Sequence, residues 1–342
     1  MVKPSIIARE FSKHEIEFFL RQLVPECPDD FSLIEYEYLF GGLSTTTIRV
    51  KIGNLNTTYV LKIFYPNDAP LTTFQNAMNV CHYIHEKHPE IRISHPVFDS
   101  TVRVIEGFPC VLMNFISDAV AGDVAVEQMG IPRSKVLYAV GIVLAQLHSV
   151  AVSENCAIES YHAGGAVELY KHQMGGFLDK IQSLGNAEFS EWYASELSSW
   201  PELFTKNFHT GIVHGDPFMD NVMVYSDGSL AGLVDFEDAC IGPVVFDIGS
   251  AIAGSCFVNE EQIDWESVSA LLQGYIQTRP LLSEEKQNLF DFIAVALLCN
   301  CAFRFITHHG GANSNAFRDL YEKLRYLRKN ERPIRQKLDL IV

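Results

Sequence analysis

This sequence predicts an α+β chain of two lobes, a small antiparallel sheet with a helix first and a larger, mainly helical lobe after it. Three observations carry that prediction. From Phe31 to Phe64 the chain is rich in β-branched and aromatic residues, interrupted by Gly41-Gly42 and by Gly53-Asn54. After about residue 120 the texture becomes helical for most of the remaining length. The 342 residues, 48% of them apolar, are enough for two lobes with a sizeable core. The boundary is placed to give lobes 1–114 and 115–342.

Taken in order, Ser12 followed by Glu15 has the form of a capping box opening an amphipathic helix, "SKHEIEFFLRQL". Three strands follow as a meander over 32–40, 43–51 and 57–65, the last stopped by Pro66. A helix is expected over 71–87 and two more strands over 101–106 and 109–115, completing the first lobe. "MNFISDAVAGD" reads as a connection. "SKVLYAVGIVLAQLHSV" is apolar on most faces, as a helix buried in a lobe centre would be. Further helices are expected over 165–184, 187–208, 245–256, 262–278, 284–308 and 314–329, with Pro280 dividing two of them. The exception is "NVMVYSDGSLAGLVDF", two short strands about Asp227-Gly228.

Composition narrows the function classes. With 26 Lys and Arg against 42 Asp and Glu, the formal charge of −16 argues against nucleic-acid or anionic-membrane binding. The basic tail from Arg318 to Arg335 reads as a solvated helix face. No secretory signal and no stretch of 18 apolar residues are seen, so a cytoplasmic chain is expected, monomeric or homodimeric. The eight cysteines lie among apolar neighbours without a Cys-x-x-Cys pair and read as buried free thiols.

Four pieces carry chemistry. Gly41 and Gly42, with Ser44 and three threonines after them, stand between two strands, where glycines let backbone amides approach phosphate oxygens. A Gly-Gly pair there is also an ordinary hairpin turn. Lys62 in "YVLKIF" alternates onto the face of Val60 and Phe64, where an ammonium wants an anion, or else snorkels from an edge strand. His214-Gly215-Asp216 with Asn221, in "GIVHGDPFMDN", is followed across the hairpin by Asp235 in "LVDF". An Asp, an Asn five residues on and a second Asp beyond a hairpin suit the task of accepting a hydroxyl proton while holding a hard cation on oxygen ligands.

With these pieces the chain resembles the aminoglycoside phosphotransferase and choline kinase superfamily, small-molecule kinases of protein-kinase-like fold. "VHGDPFMDN", "LVDFEDACIGPVVFDI" and "LAQLH" carry the resemblance. Within that group it is most like the homoserine kinases of the kinase-like type, in "SKHEIEFFLRQL", "LAGLVDFEDAC", "GYIQTRPLLSEEK", "AFRFITHH" and "LRYLRKN". The resemblance implies a bilobal fold, ATP and Mg2+ as cofactors, and a small alcohol or amino alcohol as substrate. It makes Asp216 the catalytic base and Asn221 and Asp235 the metal ligands. Lys62 would hold the α- and β-phosphates, Gly41, Gly42 and Ser44 would lie over the phosphates, and Met113, Asn114 and Phe115 would touch adenine. Asp247 would brace the catalytic loop, and His214 would fix its geometry.

Two departures stand out. Pro217 follows Asp216 and restricts it to extended or bridge conformations. The helix after Lys62 offers no acid before Glu86 to pair the lysine, leaving Glu86, His82, Asn79 or the nucleotide itself. For a homoserine-like acceptor, Arg304 could hold a carboxylate and Glu237 or Asp238 an ammonium. Choline, ethanolamine, hydroxylysine and aminoglycoside kinases, a Ser/Thr protein kinase of the same group and a non-catalytic nucleotide-binding relative are the other readings.

Overall fold

The computed structural model describes residues 9–25, 31–39, 45–53, 57–65, 71–152, 176–200, 203, 206–308 and 315–342. Gly41, Gly42 and Ser44 lie outside the described residues. Two compact units make up the chain. The first holds the described residues up to Ala119 together with Ala231–Asp238, and the second holds those from Val120 to Leu230 and from Ala239 to Val342.

The first unit opens with α1 (Lys13–Leu23), whose capping box forms as the sequence predicts. Ser12 Oγ accepts the Glu15 amide at 3.3 Å, and the Glu15 carboxylate accepts the Ser12 amide at 2.7 Å. Strands β1 (Leu33–Leu39), β2 (Thr45–Ile52), β3 (Thr57–Phe64), β4 (Arg103–Ile105) and β5 (Phe108–Asn114) form an antiparallel sheet in the order β1-β2-β3-β5-β4. Alternation along β3 and β5 divides the unit into two cores. Leu61, Ile63, Cys110 and Leu112 join Ile16, Phe19, Leu20 and Leu23 of α1 on one face. Val60, Phe64, Val111 and Met113 join Phe74, Ala77 and Met78 of α2 (Leu71–Lys87) on the other. Lys62, between Val60 and Phe64 in the alternation and paired with Thr47 and Val111 across the strands, therefore belongs to the α2 face.

The second unit is built around α4 (Arg133–His148), which is buried on most sides as expected. It follows β6 (Ala119–Ala121) and α3 (Gly122–Met129), an element that stands where the sequence suggested only a connection. Gly130 at φ 70° ends α3 with a left-handed C-cap, a stop signal that marks a helix before it. Helix α4 crosses α8 (Trp265–Thr278) at backbone distance. A Cβ on Gly141 would fall 2.1 Å from the Leu271 carbonyl oxygen, and one on Gly274 2.1 Å from that of Tyr138. Two glycines thus let apolar helices approach more closely than side chains permit.

Helix limits are where pattern reading fails. Residues 176–183 (α5) are helical and α6 spans Ala187–Leu197, eleven residues short of the expected end at 208. Ser198 caps it, and Pro201 follows in the sequence. The helix expected from 262 begins instead at Trp265, because Asp264 accepts the Ser267 amide and hydroxyl as N-cap. Before it, β11 (Phe257–Asn259) and β12 (Gln262–Ile263) pair antiparallel. The tail forms α10 (Arg318–Lys329) and α11 (Glu331–Asp339), Pro333 lying in a first turn, where its missing N–H costs nothing. Its bases are not simply solvated: Arg328 pairs with Glu196 at 2.9 Å and Arg335 with Asp291 at 2.5 Å.

Helix α9 (Ser283–His308) corrects a further expectation. It contains an 18-residue window of mean hydropathy 1.9, long and apolar enough to cross a membrane, of which 67% is buried within the protein. Packing against α7 (Val245–Ser255), α10 and α11 accounts for that apolarity. Six described cysteines are free thiols, all buried except the half-buried Cys299.

Candidate functional site

The first unit supplies a cation and two acids. Lys62 Nζ donates to Asp235 Oδ1 at 2.6 Å and to Glu237 Oε1 at 2.9 Å, with side-chain exposures of 12%, 34% and 14%. Burial alone would pull the lysine pKa down, but Asp235 and then Glu237 outweigh it and hold the ammonium above its ordinary range. These acids stay near β3 because β9 (Leu230–Leu233) is tied to an earlier segment of the same unit. Ser94 N–H donates to Leu233 O at 2.7 Å and Leu233 N–H to Arg92 O at 3.0 Å. Gly232 makes this approach feasible, since a Cβ there would lie 3.2 Å from Arg92 O. Asp235 itself adopts φ 67°, a left-handed conformation that Asp tolerates better than most residues and that turns the chain just after β9.

No acid of α2 takes part in the Lys62 pairing. Glu86 is exposed, the Asn79 side chain accepts from Gln75 at 3.0 Å, and the buried residue of α2 beside the lysine is Cys81. Its thiol is pushed up to about 12, chiefly by burial, with Lys62 opposing the shift. The partner sought on the helix comes from the segment after β9, and Glu237, read from sequence as an ammonium ligand, is half of that answer. At the end of β5, Met113 is buried and Asn114 is doubly held. Its side-chain oxygen accepts the His95 amide at 2.7 Å, and its own amide donates to the His95 carbonyl at 3.0 Å. The Arg49 guanidinium lies 5.9 Å from the Phe115 ring centroid.

The second unit supplies the loop. Strand β7 (Thr210–Val213) pairs with β10 (Cys240–Pro243) and delivers His214, Gly215 and Asp216. Gly215 takes φ 89°. Asp247, in the first turn of α7 and fully buried, accepts the His214 amide at 2.6 Å on Oδ2 and the Gly215 amide at 2.9 Å on Oδ1. Two backbone N–H groups that burial would otherwise leave unpaired are thus satisfied by one carboxylate. The Asp216 amide donates to His214 Nδ1 at 3.3 Å, which makes that buried ring nitrogen an acceptor.

Pro217 has a local explanation. The Phe218 amide donates to Asp216 O at 2.9 Å, a three-residue turn whose centre wants a φ near that of proline. Asn221, 9% exposed, donates its Nδ2 to the same Asp216 carbonyl at 2.9 Å and to Asp216 Oδ2 at 3.1 Å. With the nitrogen committed to Asp216, Oδ1 is the amide atom left facing away, the end a hard cation would use. The Phe218 ring rests on Gly254 of α7, where a Cβ would fall 2.3 Å from the ring. Tyr225 and Ser229 close the turn after β8 (Val222–Tyr225), N to O, at 2.9 Å.

Sequence reasoning missed a second layer. His148, at the end of α4, is fully buried with Nε2 3.0 Å from Asp247 Oδ2 and Nδ1 2.8 Å from Tyr275 Oη. The "LAQLH" and "GYIQTRPLLSEEK" stretches carried this signal only as resemblance. Arg304 pairs with Asp319 at 3.3 Å and is 32% exposed. Among the described residues no group of three or more His, Cys, Asp or Glu side chains forms a ready-made metal cage.

A small antiparallel sheet with its helix, followed by a mainly helical part bearing an Asp–Asn loop, is the protein-kinase-like class of fold. Solved structures agree. A Plasmodium vivax ethanolamine kinase is 14% identical with a TM-score of 0.66, over 92% of this chain and 86% of its own. A microcompartment-associated aminopropanol kinase is 12% identical with a TM-score of 0.61, over 94% and 98%. Within that class the chain belongs to the phosphotransferase enzyme family, whose model matches residues 35–283. It is similar to a homoserine kinase of Gluconobacter oxydans, 31% identical over 48% of this chain and 50% of the relative. It is also similar to one of Methylobacillus flagellatus, 24% identical over 74% and 73%. The alignment spans about half the length of the first of these relatives.

Proposed function

We propose that the chain is an ATP- and Mg2+-dependent kinase of small molecules, acting on the hydroxyl group of homoserine or a related amino alcohol. The observation that carries this reading is the Asp216 carboxylate, held by Asn221 on a loop whose amides are pinned by Asp247. Asp216 takes the proton of the acceptor hydroxyl, whose oxygen forms a bond to the γ-phosphorus as the bond to ADP breaks. Asn221 and Asp235 would hold Mg2+, which when bound neutralises phosphate charge. Lys62 holds the α- and β-phosphates, Gly41, Gly42 and Ser44 cover them, and the segment from Met113 to Phe115 receives adenine. Residues 1–114 are assigned to nucleotide and 115–342 to catalysis and acceptor. Arg304 remains the candidate for a substrate carboxylate, though it would first have to share with Asp319. Glu237 as ammonium ligand would have to leave Lys62, so its primary assignment here is as the lysine's partner.

Homoserine kinase relatives and ethanolamine and aminopropanol kinase neighbours support an amino-alcohol acceptor. The net charge of −16 argues against nucleic acid or an anionic membrane as partner, and action in the cytoplasm as monomer or homodimer belongs to the same proposal. Coupled ADP release is the test, with homoserine, ethanolamine, choline, hydroxylysine, methylthioribose, an aminoglycoside and casein as acceptors. Turnover with homoserine or another small amino alcohol is expected. Turnover confined to casein would make the chain a protein kinase, and none with any acceptor would leave only nucleotide binding.

One variant checks the seat of the loop. Gly254→Ala puts a methyl group where the Phe218 ring lies, so the ring and its loop must shift. A fall in kcat of roughly ten- to a hundredfold is expected with the thermal midpoint nearly unchanged, since Gly254 is exposed and the ring has somewhere to go.

A further inference from the structure

Behind the catalytic loop a line of buried polar groups runs further than bracing the loop requires. From Asp247 it passes to His148 and on to Tyr275 Oη, as described above. Arg279 NH1 reaches the same Oη at 3.0 Å, and its two terminal nitrogens reach the Glu285 carboxylate at 3.0 and 2.7 Å. Glu285 also accepts the Leu282 amide at 2.8 Å, which locks the "RPLLSEE" turn between α8 and α9. The side chains of His148 and Asp247 are 0% exposed, Glu285 1% and Arg279 11%.

Proton counting fixes the direction of every bond in this line. Arginine only donates, so NH1 occupies a lone pair of Tyr275 Oη. Tyr275 is fully buried and His148 Nδ1 is the other partner of its Oη, so the single phenolic proton goes there or is left without an acceptor. A ring nitrogen that accepts carries no proton, so the imidazole is neutral, with its one proton on Nε2 directed at Asp247. The reverse tautomer would set a bare Nε2 against a carboxylate oxygen at 3.0 Å and would leave the buried phenolic proton without an acceptor. The groups facing His148 are Asp247 from α7, Tyr275 from α8, Arg279 that caps α8, and Glu285 from α9. Burial, the largest influence, holds the imidazole below its ordinary value against the pull of Asp247.

We propose that Tyr275 and Arg279, with Arg279 anchored by Glu285, are positioning residues that keep His148 neutral as the Nε2–H tautomer, so that the charge of Asp247 is directed at the His214 and Gly215 amides. An imidazolium beside Asp247 would draw that charge to itself and loosen the loop. The effect on turnover rests on Asp216 as the base, but the state of His148 does not.

The test is the nitrogen-15 spectrum of the histidine rings of the full chain, with His148 assigned by its loss in His148→Gln, followed from about pH 8 to about pH 6. A neutral Nε2–H ring throughout is expected, and an imidazolium or Nδ1–H ring in the unmutated protein overturns the proposal. Arg279→Met/Glu285→Met removes the buried ion pair as a unit, leaving no orphaned charge. It frees Oη to accept from Nδ1, so an imidazolium signal should appear by about pH 6, and kcat should fall by up to about tenfold per pH unit below the new pKa. Arg279→Lys, which still donates, should restore the neutral ring and the flat profile. A folded double variant whose His148 spectrum and pH profile match the unmutated protein removes the role of Arg279. Should Asp216 not be the base, Asp216→Ala would keep its turnover while the ring spectra still respond.

Discussion

Replacing Asp216 by Ala is expected to lower kcat by roughly 10²–10⁴-fold, the range that a positioned proton acceptor contributes. Nucleotide affinity should change by less than about threefold, because Lys62 and its two acids belong to another part of the chain and are untouched. The loop itself should persist. Asn221 loses its bond to Oδ2 but keeps the one to the Asp216 backbone carbonyl, and the turn across Pro217 uses only backbone atoms. Coupled ADP release and calorimetric titration of the nucleotide separate the two quantities. Turnover of the variant within a few-fold of the unmutated chain would remove Asp216 from the chemistry.

Asp247→Ala is expected to act first on stability, by about 3–5 kcal/mol, the cost of emptying one side of a buried charged network. The carboxylate accepts from His214 N–H, Gly215 N–H and His148, all within 3.0 Å. Its removal takes the carboxylate from two backbone donors and one ring N–H, of which those of His214 and His148 are fully buried. Against a typical total of about 5–15 kcal/mol this is a large fraction, so the variant should unfold at much lower urea. Asp247→Asn keeps one acceptor oxygen and should lose less. A midpoint unchanged in both variants would mean that the loop amides find other partners.

Much of this arrangement is legible in the sequence where local pattern decides it. The alternation of "YVLKIF" places Lys62 with Val60 and Phe64, and the two cores of the first unit divide along that line. The Ser12–Glu15 box is another such case, since its partners are three residues apart. What escaped was decided by partners distant in the chain. His148 meets Asp247 across 99 positions and Tyr275 across 127, and no period or propensity links such residues. Kinship of pattern points Lys62 to an acid on the next helix, yet its partners stand 173 and 175 positions away. Helix ends escaped for a nearer reason. Ser198 stops α6 and Asp264 starts α8 through capping bonds that outweigh the apolar periodicity running past them.

The pairing of Lys62 has a bearing on control. Where a helix supplies the lysine's partner, swinging that helix outward breaks the pair and switches the site off. Here both acids sit two positions apart on one short stretch, which is fastened by backbone bonds to residues 92–94 of its own unit, and α2 offers an uncharged thiol. Helix α2 packs against the turn Phe236–Asp238 that carries Glu237, so it supports one of the two acids while supplying neither. A switch that works by withdrawing a helix-borne carboxylate from the lysine therefore has no counterpart in α2.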